Sequence, residues 1–461
     1  MFLDLKKIKK DNLIKKLIIF LLFTIYILTL TLLSIFFFLI IIFFIKDLQI
    51  GLIKRFFPAG FSKQKDIIVH ASSAGEAILA YNLFGNNVNY TFFNNGAYQI
   101  FEMKKVENNP LPFESIFSIL LFLLKNRYSK IVFIEQEIWP GFLFINKLFN
   151  KKLILINCNM YEKSYKTQKK LKFLFSFFFS IFDEIVARSE LDKGKLIELN
   201  DNLSVKSLDN FKILSSIKSL DYLKDKTLVF DQLYNSYKNN VFVFSSFHMQ
   251  EYDLAIKIIL KLKENENFKY IIAPRFIDTI KFLIDRLKKE DIKYKLLSQL
   301  LNNKMSISKE KNNDDEQFID ELMKELVNLN SNIIFNNEIL IVDKFGVLPF
   351  IYKNCFVSII GGSFNNKGGQ NFIESLIQLT PVIVGPSYDN FVDLIDYFEG
   401  EWLYIASIYE DENKLIKILV EKILDFYKMD QTFLKKKLET KILQLKKIAE
   451  KQNDYILNLL S

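Results

Sequence analysis

The residues of this sequence best suited to chemistry are carboxylates placed just past short apolar stretches. In "IIVHASSAGEAILA" (67–80) an apolar run meets Ser-Ser-Ala-Gly and then sets Glu76 on the first turn of a helical pattern. This is a strand-to-helix turn of the kind where α/β folds place their active sites. The alternative is a plain first-turn Glu that complements the helix dipole, with Ser72 or Ser73 as the cap. "FIEQEIWP" (133–140) brings Glu135 and Glu137 to the end of a second apolar run, either as further acid–base groups or as solvated loop residues.

Other candidates would bind rather than react. "SSFHMQE" (245–251) and "APRF" (273–276) directly follow apolar runs, and Arg275 there is either an anion clamp or a surface ion-pair partner. "GGSFNNKGGQNFIES" (361–375) reads as strand, glycine-rich loop and helix. That order can turn backbone N–H groups and a helix dipole toward a phosphate, with Glu374 one turn on to accept from ribose hydroxyls; it can equally be a simple turn. A Gly-Lys-Ser/Thr phosphate loop, a Gly-x-Gly-x-x-Gly and a Gly-x-Ser-x-Gly are all missing, and His70 and His248 are the only histidines, which excludes a histidine-rich metal site.

The elements that must position these groups alternate. Apolar strand-like runs at 66–71, 130–135, 153–158 and 184–189 are separated by helix-length segments, and a second set follows at 241–246, 269–274, 338–343, 357–362 and 381–386. Near-continuous apolar strands between helices predict parallel sheets covered on both faces. The fold class is therefore α/β, as two doubly wound domains over 48–222 and 223–461, with ligands expected beyond the carboxyl ends of the strands, in the cleft between the domains. A polar insertion at 296–337 is predicted to carry one amphipathic helix on the surface, and the Lys-rich C-terminal segment one or two long helices that can pack back on the first domain.

An N-terminal region, 1–47, stands apart. Residues 17–45 carry no charge, and a transmembrane helix needs about 20 such residues. The run is too long for a signal peptide and no small-residue cleavage site follows it, so a retained membrane anchor is expected. Lysines and arginines flank it on both sides, so they decide orientation weakly and suit anionic headgroups. The chain of 461 residues has 62 Lys and Arg against 53 Asp and Glu, a net charge of +9 that suits an acidic surface or substrate. Nucleic acid is not expected as a partner, because the basic residues are interspersed with acidic ones. Cys158 and Cys355, the only cysteines, lie in apolar runs and read as core residues of a reducing compartment.

Taken in order, these segments resemble the Kdo transferases, which move 3-deoxy-D-manno-octulosonic acid (Kdo) from CMP-Kdo to a lipid A precursor. The likeness runs from the anchor to about residue 400. It rests on Ser73, Gly75 and Glu76 for Ser-x-Gly-Glu, "EQEIWP" for Glu-x-Glu-Leu-Trp-Pro, and Asn210-Phe211-Lys212 for Asn-Leu-Lys. Ser246-Phe247-His248 with Glu251 stands for Ser-Thr-His-x-x-Glu, and Ala273-Pro274-Arg275 for Ala-Pro-Arg. Gly361-Gly362-Ser363, Gly368-Gly369-Gln370-Asn371 and Glu374 follow the family's Gly-Gly-Ser…Gly-Gly-His-Asn-x-x-Glu, and Gly385-Pro386 with Asn390-Phe391 its Gly-Pro…Asn-Phe. Departures are Phe276 and Gln370 where the family has histidines, Asn159 and Lys163 where it has arginines, and Phe345-Gly346-Val347 at a Met-Gly-Glu position.

The resemblance implies a GT-B fold of two Rossmann-like domains, with acceptor on the first and donor nucleotide on the second. It implies inverting transfer with Glu76 as general base and Glu137 in acceptor-side support. Arg275, Lys212 and the helix N-terminus after Gly369 would stabilise the departing CMP phosphate. Asn371 and Glu374 would hold the ribose, with Pro274, Phe345, Gly346 and Val347 near the base and Phe372 and Ile373 also among the substrate-binding residues. No metal or cofactor is implied. The partners would be CMP-Kdo, a lipid A precursor and membrane lipids, and the place the inner membrane, single-pass, with the catalytic domains cytoplasmic. The alternatives are a membrane-anchored GT-B enzyme using another sugar nucleotide, or a non-catalytic nucleotide- or lipid-binding relative.

Overall fold

The computed structural model describes residues 49–223, 240–263, 268–300 and 339–461, apart from 345, 399, 401 and 408–410, together with isolated positions between 21 and 32. The expected anchor at 17–45 lies outside the described residues except for those positions, as do Phe345 and nearly all of the 296–337 insertion. Among the described residues no helix is long and apolar enough to cross a membrane.

The chain divides into two compact units, Met1–Phe211 with Gln452–Ser461, and Lys212–Lys451. The first holds a parallel sheet of β1 (Ile67–Ala71), β2 (Asn89–Phe92), β3 (Asn108–Pro110), β4 (Lys130–Ile134), β5 (Lys152–Cys158), β6 (Glu184–Ala187) and β7 (Val205–Ser207), in the order β3-β2-β1-β4-β5-β6-β7. Strand order reverses between β1 and β4, the place where such sheets open a crevice. Every residue of β1 is buried, which is why it reads as an unbroken apolar run. Side-chain caps start the crossover helices: Ser73 for Ala74–Phe84, Asn94 for Asn95–Met103, Ser115 for Ile116–Lys125 and Ser189 for Glu190–Leu199. Phe122, Phe133, Phe142, Leu155 and Phe179 form the centre of its core.

The second sheet comprises β8 (Val241–Phe247), β9 (Lys269–Pro274), β10 (Tyr294–Leu296), β11 (Ile339–Ile341), β12 (Val357–Ile360), β13 (Val382–Val384) and β14 (Leu403–Ile405), in the order β10-β11-β9-β8-β12-β13-β14, again parallel. Its reversal lies between β8 and β12. Helix Lys212–Leu223 belongs to this unit because it packs on helix Ile373–Ile377, and Asn371 Nδ2 donates to Ser216 Oγ at 3.2 Å. The division therefore falls ahead of the polar stretch at 221–227. The end of helix Gln431–Leu460 belongs to the first unit: Gln452 Nε2 donates to the Leu208 carbonyl at 2.7 Å and Lys130 Nζ to that of Leu459 at 2.9 Å. Cys158 and Cys355 are free and buried.

Both sheets carry a register slip, in the β5–β6 pair of the first and the β8–β9 pair of the second. Register slips between Leu155 and Cys158 where Asn157 has φ of 56°, and between Ser245 and Phe247 where Ser246 has φ of 55°. Such bulges re-aim side chains at strand ends.

Candidate active site

In the first unit the site is a knot of acids at the ends of β1 and β4. Ser73 is the cap of helix Ala74–Phe84, and Glu76 folds back onto it. Ser73 Oγ donates to Glu76 Oε1 at 2.7 Å, the Glu76 N–H donates to Ser73 Oγ at 3.3 Å, and the Ser72 N–H donates to Glu76 Oε2 at 2.8 Å. This is a reciprocal capping arrangement. It does not exhaust the carboxylate, because each oxygen has a second lone pair. Burial first, then the charges of Glu135 and Glu137, push the Glu76 carboxyl up to about 8, against the hydrogen bonds from Ser72 and Ser73.

Glu137 is held differently. Trp139 Nε1 donates to its Oε2 at 2.8 Å, and His70 Nε2 lies 3.7 Å from the same oxygen. Burial alone would raise the Glu137 carboxyl, but His70, Ser72 and Trp139 together hold it below the ordinary carboxylate value. Glu135 sits just past β4 with φ of 62°, a left-handed backbone, and its Oε2 accepts from Asn159 Nδ2 at 3.2 Å. One carboxyl poised near neutrality beside Glu137, held charged, is an arrangement fit for general-base work.

In the second unit the polar groups gather beyond β8, β9 and β12. Arg275 follows β9, its N–H donating to the Phe247 carbonyl at 2.8 Å. Burial lowers its pKa, while the charge of Glu374 supports the guanidinium. Glu374 Oε1 accepts from Asn371 Nδ2 at 3.0 Å. Burial pushes its carboxyl up to about 7, against the Asn371 bond and the Arg275 charge. Lys212 begins its helix with Nζ 4.9 Å from the centre of the Phe391 ring. His248 contacts the ring of Phe276 edge-on at 5.5 Å between centres, and its Nε2 lies 3.4 Å from Gln370 Nε2. Burial, then the charges of Arg275 and Lys367, lowers the His248 pKa.

The glycine-rich loop is tied down by its own backbone N–H groups. The Gly369 N–H donates to the Gly362 carbonyl at 3.0 Å, that of Gln370 to Gly361 at 3.1 Å, and that of Gly368 to Ser387 Oγ at 2.9 Å. The N–H groups of Gly362 and Phe364 donate to Glu251 at 2.9 and 3.0 Å. The helix that follows starts only at Ile373 and has five residues, too short to supply much dipole. The N–H groups of Gly362, Phe364, Gly368, Gly369 and Gln370 are thus engaged within the protein.

The structure thus brings Glu76, Glu135 and Glu137 together in one unit and Arg275, Asn371 and Glu374 together in the other. Phe372, Ile373 and Val347 do not join them through their side chains, which are at most 1% exposed. Pro274 is half-buried at the end of β9, and Gly346 takes a left-handed φ of 82°. One partner of these groups had no distinct signal in the sequence: His70, lost within an apolar strand; the motif marked Glu251, but not that Gly362 and Phe364 donate to it.

Two parallel, doubly wound α/β units in tandem, each with its polar groups beyond the middle strands, define a Rossmann-like architecture. Residues 50–215 match the family described as 3-deoxy-D-manno-octulosonic-acid transferase (kdotransferase). A bifunctional glycosyltransferase/methyltransferase of Fusobacterium nucleatum is 26% identical over 367 residues, which cover 76% of this chain and 52% of that protein. The 3-deoxy-D-manno-octulosonic acid transferase of Rickettsia bellii is 27% identical over 398 residues, 80% of this chain and 83% of that one. The chain therefore spans about half the length of the first relative and most of the second. Among solved structures, the C-terminal CMP-Kdo binding domain of WaaA from Acinetobacter baumannii is 18% identical and covers 50% of this chain and 98% of that one, with a TM-score of 0.34.

Proposed function

We propose that this protein transfers Kdo from CMP-Kdo to a lipid A precursor, with inversion, as a step of lipopolysaccharide synthesis. Glu76 takes the proton of an acceptor hydroxyl as the oxygen attacks the anomeric carbon of Kdo, and CMP departs. The observation that carries this reading is the acid cluster of the first unit: a carboxyl pushed up to about 8 by burial and by Glu135 and Glu137 is a far stronger base than an exposed one. Glu137 supports the acceptor side. Arg275 meets the phosphate of the leaving CMP, and Asn371 with Glu374 accepts and donates at the ribose. Such charge complementarity needs no metal. Lys212 adds a second cation, with Pro274 and the backbone of Gly346 near the base.

The uncharged run at 17–45 supports a single-pass anchor in the inner membrane, with both α/β units on the cytoplasmic side where the nucleotide sugar is made. Anchoring raises the local concentration of a lipid acceptor. The test incubates detergent-solubilised protein with CMP-Kdo and a tetraacylated lipid A precursor, and reads product mass. The expected product carries added Kdo, and Glu76→Gln forms none at the wild-type rate. Consumption of UDP-sugars instead of CMP-Kdo would assign a different donor.

A further inference from the structure

His70 is completely buried, and its ring is held at both nitrogens. It stands opposite Thr91 in the β1–β2 register, so the threonine hydroxyl meets Nδ1 at 3.0 Å. On the other side Nε2 lies 3.2 Å from Ser72 Oγ and 3.7 Å from Glu137 Oε2. A proton on Nε2 gives the ring a donor toward the Ser72 hydroxyl and the carboxylate oxygen, where a lone pair would be repelled by the carboxylate. Nδ1 is then the acceptor, and the Thr91 hydroxyl its donor.

Ser72 joins this chain to the proposed base. Its hydroxyl is shared between His70 and Glu137, and its backbone N–H is the donor to Glu76 Oε2. One residue therefore spans both carboxylates.

We propose that His70, fixed as the Nε2–H tautomer by Thr91, is a positioning residue that holds the Glu137 carboxylate oriented and charged beside Glu76. His70 touches no substrate; it acts through Glu137, and Trp139 completes the grip on the same oxygen. The inference rests on the reading of Glu76 as the base, because only then does the orientation of Glu137 affect the rate.

Thr91→Val removes the hydroxyl at nearly constant volume. In the full-length protein it should lower kcat for Kdo transfer roughly tenfold, the scale of one hydrogen bond in a charged network, with the KM for CMP-Kdo unchanged and Thr91→Ser restoring the rate. In a Glu137→Gln background the same change should cost nothing further, since coupled residues are non-additive. Additive losses would overturn the proposal. With only two histidines in the chain, 15N-histidine NMR compared with a His248→Gln sample isolates the His70 signal. An Nε2–H signature is expected at neutral pH, and an Nδ1–H or doubly protonated ring would also overturn it. Should the wild type fail to turn over CMP-Kdo, the functional reading falls, while the tautomer spectrum still decides the role of His70.

Discussion

Glu76 and Glu251 occupy matching places in the two units and are used in opposite ways. Each lies just past the strand at which its sheet reverses, β1 in one case and β8 in the other, and each folds back to accept from the start of its own helical turn. Glu76 has one backbone N–H and one serine hydroxyl as partners, and acids on the next strand end. Glu251 has three backbone N–H donors, from His248, Gly362 and Phe364. It is raised by burial but opposed by all three bonds. A carboxylate met by acids keeps a lone pair and a high proton affinity; one met by N–H groups is a brace. The helix-start pattern is the same, and the neighbouring strand decides.

Charge-neutral replacement separates the two uses most sharply. Glu76→Gln keeps an acceptor for the Ser72 N–H, so stability should change by less than about 1 kcal/mol, while the transfer rate should fall about 10²–10⁴-fold, the usual worth of a general base. Glu251→Ala leaves three buried N–H groups unpaired and should cost about 3 kcal/mol or more in urea unfolding, with CMP affinity falling alongside because the glycine-rich loop loses its anchor. A Glu76→Gln protein that unfolds early yet retains its rate would make Glu76 a second brace and erase the contrast.

Acidity sharpens the comparison further. The Glu76 carboxyl is raised from an ordinary 4.5 to about 8, so between those pH values the folded chain holds a proton that the unfolded chain has released. Its contribution to stability is fully present below pH 4.5 and lost as pH rises through about 8. Glu374, raised to about 7, acts in the same direction, whereas the lowered Glu137 is stabilising at high pH and loses that contribution on acidification. Thermal unfolding followed through this window should show wild type losing ground to Glu76→Gln as pH rises. The acid limb of the pH–rate profile should fall near pH 8 for the same reason.

The inner strands were legible because both of their faces are buried, which forces uninterrupted apolar runs such as "IIVHA" and "ILI". The outer ones were not. β3, "NNP", and β7, "VKS", are the edges of their sheet, β10 and β14 are half-buried edges of the other, and β2, "NYTF", is interior but polar at the buried Asn89 and Thr91. An edge strand needs less apolar surface, so its sequence resembles a loop. At the site, the acids and Arg275 could be found from their places after strands. The fate of the loop N–H groups could not, since Glu251 and Gly362 are 111 residues apart and glycines do not announce who accepts from them. The helix starting at Ile373 was expected to begin nearer Gly369 for the same reason: the intervening turn is set by bonds to Gly361 and Gly362.

Two glycines carry the contrast to its smallest effect. At Gly361 an added Cβ would lie 2.4 Å from the Ser246 carbonyl oxygen and 2.6 Å from Phe247 Cα, both backbone atoms of the bulged strand, so Gly361→Ala should cost about 2 kcal/mol or more. At Gly75, in the first turn of the Glu76 helix and exposed, nothing lies within 4 Å of the added atom. Gly75→Ala should therefore stabilise the protein by about 0.5 kcal/mol through helix propensity alone. If the space beside Glu76 receives the acceptor, the same methyl should raise the KM for the lipid while leaving that for CMP-Kdo unchanged. A stabilised variant with both constants unaltered would show that the acceptor approaches Glu76 from another side, and would leave Gly75 no role beyond the backbone.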